Sequence, residues 1–238
     1  MIVQACLNGA RATDYHPALP LTAEAIANDA EACVAAGANE LHIHPRGPDL
    51  AESLAAIDAT IPVVRAACPG TLIGVSTGAW IENDISRTRD LISGWSELPD
   101  YASVNLSEPD APAVMDILDR IGVSLEAGIA TVEGAERFVS LARQRPPLRV
   151  LIEINEQKLS DALALAEDIS SVLARAKVTR PILLHGFDAT VWDFVRLARR
   201  RNWSTRIGLE DGKHMPDDRQ AAGNAELVAA ACAIYREG

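Results

Sequence analysis

Aromatic side chains are scarce in this chain, 4% of 238 residues, and the 48% hydrophobic fraction is carried by Ala, Leu, Val and Ile. That disfavours an aromatic-rich β sandwich and favours a helix-rich α/β protein. Positive charge is also short: 22 Lys and Arg face 33 Asp and Glu, for a net charge of -11. A general nucleic-acid binder or a protein drawn to anionic membranes is basic, so both classes are set aside. The cysteines Cys6, Cys33, Cys68 and Cys232 form no C-x-x-C pair; three read as small buried residues and Cys68 ends a helix, a usage that suits a reducing compartment. No basic segment with an apolar core opens the sequence, and no apolar run reaches the ~18 residues of a membrane-spanning helix. These absences give the expectation of a soluble, cytoplasmic protein, in which the acceptor patterns Asn105-Leu-Ser107 and Asn202-Trp-Ser204 are not glycosylation sites.

Present throughout is a regular alternation of short apolar runs and helical patterns. Strands are predicted at Ile2–Leu7, Glu40–His44, Thr71–Ser76, Tyr101–Asn105, Val123–Glu126, Arg149–Ile154, Pro181–His185 and Thr205–Leu209. The helices between and after them are predicted at Thr22–Ala36, Ala51–Ala67, Asp84–Trp95, Ala111–Ile121, Val132–Arg145, Leu159–Ala176, Thr190–Arg200 and Arg219–Tyr235. Runs such as Leu72-Ile73-Gly74-Val75 have the pattern of parallel strands covered on both faces. Eight βα units with short connections and no linker predict one (β/α)8 TIM barrel domain over residues 1–238, with a doubly wound open sheet as the rival fold.

The strand ends are polar. Asn8, His42, His44, Ser76, Thr77, Ser103, Asn105, Glu126, Glu153, His185, Arg206, Glu210 and Asp211 all lie on or just after predicted strands. In a barrel these C-terminal ends meet at one mouth, where active sites of the fold sit, and unpaired polar groups buried for packing alone would cost free energy. The His42-Ile43-His44 element is the sharpest signal: side chains at i and i+2 share a face, so both imidazoles point inward. An H-x-H by itself is equally a hydrogen-bonded pair. With Glu210-Asp211 at the last strand end the reading shifts to a divalent metal, zinc by ligand type, held by His42, His44 and Glu210. His16 and His214 fall in loops with a solvated role as the default, His185 and Glu153 are divided between structural and site roles, and the Arg196–Arg201 run reads as a solvated helix end.

Leu7-Asn-Gly-Ala, Leu19-Pro-Leu-Thr22, Ala36-Gly-Ala, His42-Ile-His44-Pro-Arg46, Ser76-Thr-Gly78, Arg206-Ile-Gly-Leu-Glu-Asp211 and Asn224-Ala-Glu-Leu-Val228 together resemble the β-keto acid cleavage enzymes, whose founding activity is 3-keto-5-aminohexanoate cleavage. The resemblance implies a zinc-dependent barrel, a homo-oligomer of two or four copies, that reacts a β-keto acid with acetyl-CoA to give acetoacetate and a new acyl-CoA. By position it assigns zinc to His42, His44 and Glu210, and proton removal to Ser76, Arg206 and Asp211. Ser103 falls where the family often has a threonine near the substrate, and Asn8, Asn105, Glu126 and Arg11 complete the expected substrate contacts. Arg11 replaces an acidic residue that meets the substrate's amino group in the founding enzyme, which suggests a substrate with an anionic or polar distal end and not an aminated one; alternatively Arg11 turns to solvent or pairs with Asp14. The segments Asn155–Ser160 and Leu106–Asp110 depart from the family's glycine-containing loops, so the acetyl-CoA co-substrate is less firmly implied than the metal. Two rivals remain: a metal-dependent hydrolase of the amidohydrolase kind, whose histidine pair belongs on the first strand, and a barrel that binds metal or metabolite without catalysis.

Overall fold

A computed structural model describes residues 1–141 and 146–236. Its strands are β1 (Val3–Cys6), β2 (Glu40–Ile43), β3 (Leu72–Ser76), β4 (Tyr101–Asn105), β5 (Ser124–Ile129), β6 (Arg149–Ile154), β7 (Ile182–Gly186) and β8 (Thr205–Ile207). The helices are α1 (Ala23–Ala36), α2 (Ile57–Ala67), α3 (Ile85–Ser93), α4 (Ala111–Ile121), α5 (Val132–Ser140), α6 (Leu159–Arg175), α7 (Val191–Arg200) and α8 (Asn224–Arg236). All the strand pairs are parallel, in the order β7-β6-β5-β4-β3-β2-β1-β8. Ser204 joins the two ends, donating to Ile182 O at 3.0 Å and accepting from Leu184 N at 2.9 Å. The fold is the predicted (β/α)8 barrel.

Local chemistry sets the helix ends. Thr22, Asp84 and Thr131 each accept a backbone N–H of the following first turn, and Gly37 and Gly122 end α1 and α4 in the left-handed conformation. Several predicted bounds shift. Residues 51–53 are not helical: Arg46 bridges Glu52 and Gly47 N donates to Ala51 O, so α2 is entered later through a 3-10 turn at Leu54–Ala56. β5 runs on to Ile129 because its backbone pairs with β4 and β6 through Gly128. α5 ends at Ser140, where Leu141 turns extended; the rest of the predicted helix, residues 142–145, lies outside the described residues. α8 begins at Asn224, five residues later than predicted, because residues 213–221 fold back on themselves through Ala221 N to Lys213 O (2.9 Å) and Met215 N to Arg219 O (2.8 Å).

The barrel interior is polar along its length. At the N-terminal end, Arg149 pairs with Glu126 Oε1 at 2.9 Å and with Glu40, while Gln4 Nε2 donates to the Tyr101 hydroxyl at 2.7 Å and to Glu126 Oε1 at 3.3 Å. Tyr101 lies flat across this floor because Gly74 on β3 has no side chain; a Cβ there would stand 2.0 Å from the ring. The apolar core is the shell between strands and helices, where Leu41, Ile43, Ile73 and Phe194 are fully buried.

Asn224 at the start of α8 ties three elements together. Its Oδ1 accepts from Leu209 N at 2.6 Å, and its Nδ2 donates to Leu7 O at 2.8 Å and to Asp29 Oδ2 at 2.6 Å. Burial raises the Asp29 carboxyl to about 6, only partly countered by the Asn224 hydrogen bond. The folded chain therefore holds this proton more tightly than the unfolded chain, and stability from this group is present at low pH and lost as pH rises through about 6. An Asp29→Asn variant is expected to gain stability over the parent above about pH 6 and to lose that advantage below about pH 4, read as the difference in Tm across a pH series. A Tm difference that does not move with pH would remove the assignment.

Candidate metal centre and active site

The C-terminal ends of the strands open into a cavity of about 540 Å³. His42, the third residue of β2, and His44, just past its end, face inward as their spacing requires. Glu210 arrives from the turn after β8, where Gly9, in the left-handed region at φ 52°, makes room; a Cβ there would stand 2.5 Å from Glu210 Cγ. The Nε2 atoms of His42 and His44 are 3.2 Å apart, and His44 Nε2 lies 3.5 Å from Glu210 Oε2. One ligand atom from each residue falls within 4.8 Å of the other two.

These three residues fit a metal. Ligand atoms about 2.1 Å from one tetrahedral zinc are roughly 3.4 Å from each other, close to the 3.2 Å between the two histidines and the 3.5 Å from His44 to Glu210. Two imidazole nitrogens turned toward each other share one proton at most, and the buried Glu210 Oε2 accepts no hydrogen bond among the described residues. Electrostatics point the same way. Burial pushes the His42 imidazole down to about 3, which keeps it neutral and able to ligate. For His44 burial also acts downward, but the Glu210 and Glu52 carboxylates outweigh it and raise the ring to about 9. Burial alone would raise Glu210; Arg206 and the two histidines hold it well below the usual carboxylate range. The field at this spot favours a cation.

Glu52 was not singled out from sequence. Its Oε2 lies 2.8 Å from His44 Nδ1, fixing that ring so that Nε2 faces the cavity. Asn8 holds the same histidine by its backbone: its Oδ1 accepts from His44 N at 2.9 Å and its Nδ2 donates to His44 O at 2.8 Å and Pro20 O at 3.1 Å. Asn8, expected at the substrate, has both ends of its amide on backbone groups and supports His44.

Arg206 on β8 is the other fixed point. Its Nη2 donates to Glu210 Oε1 at 2.7 Å and Asp211 Oδ1 at 2.8 Å, and its Nε to Asp211 Oδ1 at 3.1 Å. Ser76, Ser103, Asn105, Arg11 and Arg206 line the cavity. Asp211 does not: it is fully buried behind Arg206, with Oδ1 3.3 Å from His185 Nδ1. Glu126 is also off the wall, in the ion-paired floor one layer below, because it stands at the third residue of β5 rather than at its end. Arg11 pairs with Asp188 at 2.9 Å, not with Asp14, and donates through Nε to Glu210 O at 2.9 Å. His16, expected in solvent, is buried and bridges Ala221 O and Ala18 N. Sequence reasoning gave no signal for Trp80, Gln157 and Asp188 on the wall, since each comes from a loop whose path depends on the fold.

The sequence profile of the beta-keto acid cleavage enzymes matches residues 1–144. The 3-keto-5-aminohexanoate cleavage enzyme of Fusobacterium nucleatum subsp. nucleatum is 37% identical over 81 residues, 33% of this chain and 30% of that protein. Among solved structures, ObcA in its apo form superposes with a TM-score of 0.75 at 19% identity, over 91% of this chain and 61% of that one. ObcA in a ternary complex with a C4-CoA adduct and oxalate gives 0.74 at 20% identity, over 91% and 63%. The 3-dehydroquinate dehydratase of Geobacillus kaustophilus HTA426 gives 0.65 at 12% identity, over 99% and 90%. The chain thus spans less than two thirds of the length of ObcA, and its match to the curated relative covers 30% of that protein.

A Glu52→Gln variant is expected to weaken zinc binding by roughly 10- to 100-fold while keeping the parent's circular dichroism, measured by competition with a chromophoric chelator. Equal affinity in parent and variant would show that Glu52 does not orient His44 for a metal.

Proposed function

The chain belongs to the beta-keto acid cleavage enzyme family, and from that premise we propose that it transfers an acyl group from a β-keto acid to coenzyme A, consuming acetyl-CoA and releasing acetoacetate. The observation that carries the reading is the convergence of His42, His44 and Glu210 at a cavity whose wall includes Arg206 and Ser76. His42, His44 and Glu210 would hold the metal, zinc by the nature of the donors. When bound, it would draw electron density from the keto oxygen and stabilise negative charge on the substrate.

The chain's own residues account for the proton. Its acceptor in this reading is Asp211, which lies behind Arg206 and has to come forward to the cavity as substrate binds to reach the methylene carbon between the keto and carboxylate groups. Its Oδ1 is committed to Arg206, while its Oδ2 carries no hydrogen bond among the described residues. Arg206 shares the cavity wall with Ser76 and is bonded to Asp211, so the three act as one group: Arg206 fixes the carboxylate and Ser76 orients the substrate. Catalytic hydrogen bonds of this kind tighten when substrate binds. The methylene carbanion then bonds to the acetyl carbon of the thioester as the carbon–sulfur bond breaks and the coenzyme A thiolate leaves. That thiolate attacks the original keto carbon, the bond from it to the former methylene carbon breaks, and the acetoacetate carbanion so released takes back the proton, so one carbon–carbon and one carbon–sulfur bond form as one of each breaks.

Acyl-CoA as partner is supported by the CoA adduct in ObcA. Arg11 is spent on Asp188 and the Glu210 carbonyl, so of the two distal ends suggested by the sequence we retain the polar one and set the anionic one aside. The reading takes residues 1–238 as one catalytic barrel, acting in the cytoplasm as a dimer or tetramer.

Purified chain loaded with zinc is expected to form acetoacetate only when acetyl-CoA and a β-keto acid are both present. Asp211→Asn should lower kcat by about 10²- to 10⁴-fold with little change in substrate binding by calorimetry. Absence of acetoacetate across a broad keto-acid panel, or unchanged turnover by the Asp211 variant, would overturn the proposal.

A further inference from the structure

Glu153 is the one wall carboxylate, among the described residues, that has no arginine or lysine partner. Arg11 is paired with Asp188, and Arg206 with Glu210. The ion-pair partner of Glu153 is His185, whose Nε2 is 3.7 Å from Oε2, beyond hydrogen-bond length. Its side chain is 17% exposed, and that exposure is to the cavity. A largely buried carboxylate held only by this long contact presents acceptor positions to a donor in the cavity.

A second acceptor stands beside it. A Cβ at Gly128 would be 2.9 Å from Asn105 Oδ1 and 3.4 Å from Glu153 Oε1, so the absence of a side chain there leaves a gap flanked by both oxygens. The Asn105 amide cannot present its nitrogen instead, because Nδ2 donates to Glu108 Oε1 at 3.1 Å. The Glu108 oxygen is itself fixed by Ala79 N at 3.1 Å.

Placement in the ring gives this pair a role. β6, which carries Glu153, lies four strands from β2, directly across the barrel from the histidine pair. A substrate whose keto and carboxylate oxygens sit near His42, His44 and Glu210 extends its other end toward β6. We propose that Glu153, with Asn105, reads a hydrogen-bond donor, a hydroxyl or an ammonium, on the distal end of the β-keto acid and rejects a second carboxylate there. This rests on the acyl-transfer reading above for the substrate's orientation, and names the substrate class within it.

The test uses the zinc-loaded full chain, acetyl-CoA and four β-keto acids of matched length ending in a hydroxyl, an ammonium, a methyl or a carboxylate. The hydroxyl or the ammonium compound is expected to exceed the methyl compound by roughly 10- to 100-fold in kcat/KM, with the carboxylate compound poorest. The two donor arms separate a neutral from a cationic ligand. In Glu153→Leu and Glu153→Gln, with folding checked by circular dichroism, the preference should fall to within about threefold, mainly through KM. Methyl and donor compounds handled equally by the parent, a carboxylate compound handled best, or a preference that survives in both variants would overturn the proposal. If no compound is turned over, the acyl-transfer reading fails, while calorimetric binding of the same four compounds to parent and variants still decides this one.

Discussion

Everything at the catalytic end depends on one buried guanidinium. Arg206 is fully enclosed and touches both Glu210 and Asp211, adjacent carboxylates that are themselves buried. Two such carboxylates could not both stay ionised in a medium of low dielectric without a compensating cation, and one would take up a proton instead. Arg206 holds the Glu210 carboxyl well below the usual range and fixes Asp211 Oδ1 by two hydrogen bonds, the arrangement that the proposed metal and proton-transfer roles require. The donors of an arginine spread over two edges of a plane, so one side chain can serve two partners, which the single ammonium of lysine would do less well.

The barrel supports that arrangement from below. In many barrels the interior is filled by layers of branched aliphatic side chains. Here the floor is Glu40, Arg149, Glu126, Gln4 and Tyr101, held by ion pairs and hydrogen bonds. All but the Arg149–Glu126 pair join strands distant in sequence, so the floor fixes the ring as well as filling it. Above it, the histidine pair is held from two directions, His44 by Glu52 through the ring and by Asn8 through the backbone. A site held by packed elements and by partners of its own side chains keeps its geometry before any ligand arrives.

The architecture was readable because apolar runs and helix caps repeat with a clear rhythm. Errors gathered where a loop's path overrides local preference, as in the 213–221 fold-back that delays α8. The site was readable only in part. The i, i+2 spacing placed His42 and His44 on one face, and the Arg206–Asp211 segment put the carboxylates within reach of one cation. Asn8 and Glu126 looked like site residues for the same reason, being polar and near strand ends. Asn8 proved to hold a backbone and Glu126 to lie one layer too deep.

By itself the sequence determined which residues point inward, because side chains on a strand alternate and that parity needs no knowledge of neighbouring strands. It also carried the family's motifs. Tertiary structure alone decided depth and pairing: which inward residue sits at the mouth and which in the floor, that Arg11 meets Asp188, that Asp211 stands behind Arg206, and that Glu153 faces the histidines from across the ring. Those facts follow from the relative register and closure of eight strands, set by contacts between segments far apart in the chain, which no local pattern encodes.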